Sequence, residues 1–145
     1  MIYWDTSCVL KLYAREDDSE EWAGRVAETG SPLTSSSLLS AELLFALEQK
    51  EFRGELKAGG AEALGEHFRK AVEKGRFQLY PIGADVLAES ARMAATCYHG
   101  DHPLPLRTLD GLHLATARLV RCDAIATTDR RMRRAADALG FSQVE

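Results

Sequence analysis

The fold is decided by the stretch Ile2-Tyr3-Trp4-Asp5-Thr6-Ser7. It opens with a short β-prone run, which is followed directly by an aspartate and by residues that can cap a following helix. The same order returns near the other end of the chain, where a β-prone run at 123–127 is followed by Asp129 and a helical segment. Strands that alternate with helices form a parallel sheet covered on both faces. The sequence therefore predicts an α/β fold.

The rest of the chain continues this alternation. Short strands are predicted at 2–4, 32–34, 77–80, 123–127 and 141–144. Helices are predicted over 16–27, 38–50, 62–74, 85–98, 109–121 and 130–139. Ser35, Ser36 and Ser37 can cap the helix at 38–50, and Gly140 ends the helix at 130–139. No linker or repeat divides the chain. We therefore expect one domain over 1–145, with a central parallel sheet of about four to five strands flanked by helices.

The composition excludes several classes of protein. With 145 residues, 46% of them apolar, the chain can bury a core without disulfides. It has no apolar run of membrane-spanning length, and its start does not resemble a secretory signal, so we expect a cytoplasmic protein with no membrane segment. Cys8, Cys97 and Cys122 form no Cys-x-x-Cys pair, which is typical of free thiols in a reducing compartment. The net charge of −4 argues against a general basic nucleic-acid surface, but less against a nuclease with an acidic metal site.

Two acids follow predicted strands. Asp5 comes directly after the first strand, and Asp129 comes just after the strand at 123–127. Ligands of open α/β sheets bind beyond the carboxyl ends of the strands, where parallel strands would bring both carboxylates to one edge. Each aspartate taken alone is also a common helix cap.

Two more acids lie in predicted helices. Glu42 belongs to a helix that is apolar on almost every side and therefore predicted to be buried, and a buried carboxylate needs a partner or a cation. Asp110 lies in the first turn of a helix whose predicted inward stripe is Leu109, Leu112, Thr116 and Leu119. A salt bridge would explain Glu42, and the helix dipole would explain Asp110. One acidic metal site explains Asp5, Glu42, Asp110 and Asp129 together.

Clustered carboxylates favour a hard cation. Oxygen ligands suit Mg²⁺ or Mn²⁺, and Mg²⁺ tends to keep several waters and to meet a phosphate substrate. Such an ion activates a water as nucleophile, and two ions ~4 Å apart can stabilise both the attacking and the leaving oxygen. The acids therefore predict metal-assisted hydrolysis of a phosphate ester.

Four segments resemble the acidic motifs of the PIN-domain family. These segments are Ile2-Tyr3-Trp4-Asp5-Thr6-Ser7, Ser40-Ala41-Glu42-Leu43, Arg107-Thr108-Leu109-Asp110-Gly111-Leu112-His113-Leu114-Ala115 and Thr127-Thr128-Asp129-Arg130-Arg131-Met132. Their order and spacing, and the length of the chain, are similar to those of VapC-type toxins across essentially the whole sequence. The loop at 99–105 is somewhat longer than the family leads us to expect.

The resemblance implies a Mg²⁺- or Mn²⁺-dependent endoribonuclease that acts on RNA. It also implies a homodimer and inhibition by a small cognate antitoxin, as in a type II toxin–antitoxin pair. On this pattern Asp5, Glu42, Asp110 and Asp129 are the catalytic and metal-binding acids. Thr6 and Thr128 are the supporting hydroxyls near the metal.

Other residues admit two interpretations. Arg130 and Arg131 open a basic cluster that is either solvated helix surface or, together with Arg107, a set of contacts to RNA phosphates. His113 lies one turn after Asp110 and either orients an acid or lies at the edge of the core. A zinc site at Cys97, His99 and His102 lacks a second ligand pair and is disfavoured. Tyr3, Trp4 and Phe45 are expected in the core.

Three other functions compete with the nuclease. A Mg²⁺-dependent phosphotransfer domain also places an aspartate after a parallel strand, but here no second acid stands two residues beyond Asp5. A non-catalytic PIN-like protein that binds RNA or a partner has no need of four converging acids. A nuclease acting on DNA structures would need additional DNA-binding elements, for which this chain has no room.

Overall fold

The computed structural model describes residues 1–30 and 32–144, and it has the alternating order predicted from the sequence. The strands are β1 (Ile2–Trp4), β2 (Leu33–Ser36), β3 (Phe77–Tyr80), β4 (Ala124–Ala126) and β5 (Ser142–Gln143). The helices are α1 (Thr6–Tyr13), α2 (Ser19–Thr29), α3 (Leu38–Phe52), α4 (Gly60–Glu73), α5 (Ala84–His99), α6 (Thr108–Leu119) and α7 (Arg130–Ala138). The predicted α/β class is therefore confirmed.

All five strands form one sheet, in the order β3-β2-β1-β4-β5, and every pairing is parallel. Tyr3 of β1 is in register with Thr34 of β2 on one side and Ile125 of β4 on the other. From β1 the chain builds the sheet toward β2 and β3, and later returns to add β4 and β5 on the opposite side. The strand order thus reverses beside β1, at the position where open α/β sheets bind their ligands.

The core lies on both faces of the sheet. Tyr3 and Trp4 are adjacent in β1 and both are almost fully buried, because successive strand residues point to opposite faces. Tyr3 packs in a cluster with Leu114, Ile125 and Met132, whereas Trp4 packs in a second cluster that contains Trp22, Leu39, Leu43, Leu47 and Phe68. Helices cover each face, as the parallel sheet requires. The prediction that Tyr3 and Trp4 are core residues is confirmed.

Packing corrects several details predicted from the sequence. Helix α3 buries one face only, through Leu39, Leu43 and Leu47, and Phe45 is 72% exposed rather than in the core. In α6, Leu109 and Leu119 are 46% and 41% exposed and do not form the inward stripe. The helix is instead buried continuously from Asp110 to Ala117, because it lies between α5 and β2. Ser35 and Ser36 belong to β2, and Ser37 makes no side-chain cap bond to α3.

The three cysteines form no disulfide among the described residues. Cys8, Cys97 and Cys122 are free thiols, and each is buried. Burial raises the pKa of the Cys122 thiol to about 11, which keeps it protonated and weakly reactive. Among residues 1–30 and 32–144, no helix is both long enough and apolar enough to cross a membrane.

Candidate active site

The carboxyl ends of β1 and β4 position two aspartates side by side. The backbone N–H of Asp5 donates to the Ala126 carbonyl at 3.0 Å, so the pairing of β1 with β4 extends to the first acid. Asp5 is the N-cap of α1, and Asp129 is the N-cap of α7. Both helices therefore start at the same edge of the sheet, and each aspartate lies at the positive end of a helix dipole.

Two hydroxyls and one backbone amide orient the Asp5 carboxylate. Its Oδ2 accepts hydrogen bonds from Ser7 Oγ at 2.7 Å, Thr127 Oγ1 at 2.8 Å and the Ser7 amide at 3.3 Å. Ser7 and Thr127 lie within the quoted motif segments, but the sequence predicts no role at the site for either hydroxyl. Thr128 contacts Ser7 through its backbone N–H, which donates to Ser7 Oγ at 3.0 Å. The hydroxyl that reaches Asp5 thus belongs to Thr127 and not to the predicted Thr128.

Glu42 reaches the same edge from the second turn of α3. Its side chain is 26% exposed, so it is less buried than the sequence suggested. Its Oε1 accepts a hydrogen bond from Thr6 Oγ1 at 2.9 Å and a second, short one from His113 Nε2. Burial is the largest single influence and would raise the pKa of Glu42, but the bond to His113, the charge of His113, the bond to Thr6 and the charge of Arg107 together lower it, which favours the carboxylate form.

His113 lies behind Glu42, almost completely buried in α6. Its Nδ1 is 2.7 Å from the Tyr3 hydroxyl and 3.4 Å from Ser36 Oγ, and its Nε2 is 3.9 Å from Asp5 Oδ1. Burial opposes a charged ring, but the bond to Glu42 and the charge of Asp5 raise the pKa of His113 above its ordinary value. His113, for which the sequence allows two interpretations, therefore bonds to Glu42 and lies close to Asp5.

Arg107 bridges the remaining two acids. Its Nε and Nη2 bind Asp110 Oδ2 and Oδ1 at 2.7 and 3.1 Å, and Nη2 also binds Asp129 Oδ2 at 2.6 Å. Burial and the nearby charges of Asp129 and Asp5 raise the pKa of Asp110 despite Arg107. Burial also opposes ionisation of Asp129, but the amides of Met132 and Arg131 and the bond to Arg107 lower its pKa. Arg107, predicted as an RNA contact, is engaged with these acids in the structure.

The donor chemistry of this edge fits a hard divalent cation. Asp5, Glu42, Asp110 and Asp129 offer carboxylate oxygens, the ligands that Mg²⁺ and Mn²⁺ prefer. Burial is the main cause of the raised pKa of Asp110, and the negative charges of Asp129 and Asp5 add to it. In the described part of the chain, however, no three His, Cys, Asp or Glu side chains are already grouped around one ion position. The four carboxylates are instead held by Arg107, by His113 and by the hydroxyls of Thr6, Ser7 and Thr127.

Basic residues lie beside these acids. Arg130 and Arg131 are exposed in the first turn of α7, directly after Asp129. A cleft of about 490 Å³ runs from Thr128 and Arg130 to Arg133, Trp22 and Arg25. A larger cleft of about 790 Å³, lined by Tyr13, Val26 and Phe77 among others, does not include any of the four acids. The lining of the smaller cleft does not include these acids either, but it contains Thr128 and Arg130, the two sequence neighbours of Asp129.

Comparisons with known proteins agree with the geometry. The family model described as PIN domain matches residues 2–138. Ribonuclease VapC46 of Mycobacterium tuberculosis is 35% identical over 145 residues, covering 99% of this chain and 95% of the relative. Among solved structures, FitAcB from Neisseria gonorrhoeae aligns with a TM-score of 0.70 at 19% identity, over 100% of this chain and 97% of that one. FitAB bound to an IR36 DNA fragment aligns with a TM-score of 0.67 at 20% identity, over 99% and 94% of the two chains. These two structures share its fold, and together with the sequence matches they lead to one conclusion: the chain belongs to the PIN-domain family.

Proposed function

We propose that this chain is a metal-dependent endoribonuclease that hydrolyses RNA phosphodiester bonds, and that it is the toxin of a type II toxin–antitoxin pair. The convergence of Asp5, Glu42, Asp110 and Asp129 on one edge of the sheet is the observation that carries the proposal. The 35% identity to Ribonuclease VapC46 supports RNA as the substrate. Similarity to VapC-type toxins supports the biological role.

The four carboxylates are proposed to hold Mg²⁺ or Mn²⁺. A divalent ion at this edge would supply Lewis-acid polarisation of the phosphodiester and activation of the attacking water. Thr127 and Ser7 hold Asp5 in one orientation, and Thr6 does the same for Glu42. Because these bonds are made within the folded chain, Asp5 and Glu42 need little reorganisation when substrate arrives. Thr128 contributes the amide that fixes Ser7 behind Asp5.

A cleavage assay on generic RNA tests the proposal. We expect cleavage with Mg²⁺ or Mn²⁺ and none with EDTA, and we expect Asp110→Asn to lose it. Asp85→Asn is the matched control, because Asp85 is an exposed first-turn aspartate of α5 whose carboxylate accepts from the Val86 amide. RNA that stays intact with every divalent ion, although the protein is folded, would contradict the nuclease and favour a non-catalytic RNA- or partner-binding protein.

Arg130 and Arg131 are proposed to bind RNA phosphates beside the acids. Replacing both by alanine should weaken RNA binding about fivefold or more at low salt. It should also reduce the slope of log affinity against log salt by up to roughly 1.4, at about 0.7 for each lost contact to a single strand. Arg69→Ala with Arg92→Ala is the control, since those arginines pair with Glu66 and Glu89 on other helices. An unchanged slope in the Arg130 and Arg131 variant would leave this pair as solvated surface only.

The proposed partners are a cognate antitoxin and a second copy of this chain. Asp110 accepts the Arg107 guanidinium through two bonds, which supports an antitoxin arginine or lysine as the inhibitory group. A short neighbouring gene for a DNA-binding protein would identify the antitoxin, and a complex that keeps full nuclease activity would contradict the inhibition.

Exposed apolar side chains such as Phe45 and Phe52 are available for a homodimer, and a monomeric mass in sedimentation would contradict that assembly.

A further inference from the structure

A buried chain of polar groups leads from the core to Glu42. Tyr3 and His113 are 0% and 1% exposed, and they join through the Tyr3 hydroxyl and His113 Nδ1. The opposite ring nitrogen, Nε2, contacts Glu42 Oε1. Glu42 is the partly exposed end of this chain of contacts and lies at the acidic edge. The path therefore connects the centre of the sheet to one proposed metal ligand.

The direction of the hydrogen bonds follows from the partners. An ionised carboxylate can only accept, so Nε2 must carry the hydrogen that faces Glu42. The Tyr3 hydroxyl donates to Nδ1 when the ring is neutral, because burial raises the pKa of Tyr3 and keeps its proton in place. Tyr3 thereby selects the tautomer that donates to Glu42. The outcome at Glu42 is the same when the ring is protonated, since both nitrogens then donate.

Packing alone does not explain this arrangement. His113 lies between Leu112 and Leu114 in a continuously buried part of α6, where an apolar side chain would avoid the cost of burying a polar ring. The fold nevertheless holds the ring between Tyr3 of β1 and the carboxylate of Glu42, which is 71 positions from His113 in sequence. Asp110, one turn earlier on the same helix, contributes another proposed ligand. Helix α6 thus contains one of the four acids, Asp110, and contacts a second one, Glu42, through His113.

We propose that His113, with its tautomer set by Tyr3, is a positioning residue that holds the Glu42 carboxylate in the orientation needed for divalent-metal binding. This inference rests on the proposed nuclease function and adds a residue that acts on the metal site through Glu42. Partners of this kind commonly change metal affinity by about 10- to 100-fold when they are removed. Thr6 supplies a second bond to the same Glu42 oxygen, so the loss of His113 alone should fall at the low end of that range.

Two substitutions separate positioning from packing. In His113→Gln the side-chain amide reaches the place of Nε2 and still donates toward Glu42. In His113→Asn the amide reaches only the place of Nδ1, so it keeps a partner for Tyr3 and loses Glu42. Calorimetric titration of the metal-free protein with Mn²⁺ should give a dissociation constant about tenfold higher for His113→Asn. The constant for His113→Gln should stay within about threefold of the parent value. His67→Asn, on the exposed side of α4, is the matched control.

A double-mutant cycle with Glu42→Gln supplies the decisive measurement. Because His113 is proposed to act through Glu42, His113→Asn should change Mn²⁺ affinity little further once Glu42 is already an amide. Additive effects would overturn the proposal, and so would equal effects of the Asn and Gln variants. Tyr3→Phe removes only one hydroxyl and provides the test if the histidine variants fail to fold. It should weaken Mn²⁺ binding by about threefold, and an unchanged affinity would overturn the role of the pair.

The failure of this inference is distinguishable from the failure of the proposed function. If the parent protein neither binds Mn²⁺ nor cleaves RNA, the nuclease proposal is wrong and the positioning role is lost with it. If the parent does both and the His113 variants bind Mn²⁺ as the parent does, only the positioning role is wrong. If His113 positions Glu42 as proposed, RNA cleavage by His113→Asn should recover at high Mn²⁺ concentration. A general packing defect would not respond to the ion.

Discussion

Asp5→Asn is expected to reduce RNA cleavage by at least about 100-fold, a loss of roughly 3 kcal/mol of transition-state stabilisation. The substitution removes a proposed metal ligand and one charge from the acidic edge, but it keeps the shape of the side chain. The amide oxygen can still accept from Ser7 and Thr127, and asparagine is as good an N-cap as aspartate. The metal-free mutant should therefore be as stable as the parent, or more stable because repulsion among the acids is relieved.

Thermal unfolding with Mn²⁺ and with EDTA separates the two roles of Asp5. Mn²⁺ should stabilise the parent by mass action, by about 2.7 kcal/mol at a concentration 100 times the dissociation constant, and should stabilise Asp5→Asn much less. Asp85→Asn should respond to Mn²⁺ like the parent. If Asp5 served only as a cap for α1, the mutant would keep the metal response and its activity. A destabilised mutant that still cleaves RNA would refute the assignment of Asp5.

Arg107→Gln is expected to tighten Mn²⁺ binding by about ten- to thirtyfold, which corresponds to roughly 1.4 to 2 kcal/mol. Arg107 places a positive charge within 3.1 Å of Asp110 and Asp129, so in the parent a metal ion must compete with the guanidinium. In EDTA the same variant should lose about 1 kcal/mol of stability or less, because the Arg107 side chain is half exposed and its charge is screened. Calorimetry and chemical unfolding measure the two effects.

Arg53→Gln is the matched control for Arg107. The Arg53 side chain is 54% exposed, close to the 50% of Arg107, and it pairs with Glu55 rather than with one of the four acids. If Arg107 served RNA alone, its substitution would raise the KM for RNA and leave Mn²⁺ affinity unchanged, which would contradict the competition. The combination of tighter metal binding and a raised KM would indicate that the same side chain serves both the acids and the substrate.

The order of elements and the positions of two acids could be predicted from local sequence. Each short β-prone run followed by a helical segment specifies one strand and one crossover, and the parallel sheet follows from that repetition. Asp5 and Asp129 come directly after such runs, so they had to emerge at the carboxyl edge once β1 and β4 were parallel. These features depend on spacing along the chain, which is fully contained in the sequence.

The exposure of individual helix residues could not be predicted in the same way. Helical spacing predicts Leu109 in the core, and Phe45 is expected there as an aromatic residue in an apolar helix, yet both are exposed. An apolar helix face is buried only when another element lies against it, and the packing of α3 and α6 leaves these side chains facing outward. Thr127 was overlooked for a related reason, since its hydroxyl gains a role only because β4 lies beside β1.

The sequence by itself determined which acids this protein has and which elements they follow, because strand and helix patterns are local. Only the tertiary structure decided how those acids are held. Arg107 meets Asp129, 22 residues away, and His113 meets Glu42, 71 residues away. Contacts of this kind depend on the packing of α3, α6 and α7 against one sheet edge, where a shift of a few ångströms would break the hydrogen bonds. No local pattern encodes that distance, so the partners of each carboxylate emerge only when the helices are in place.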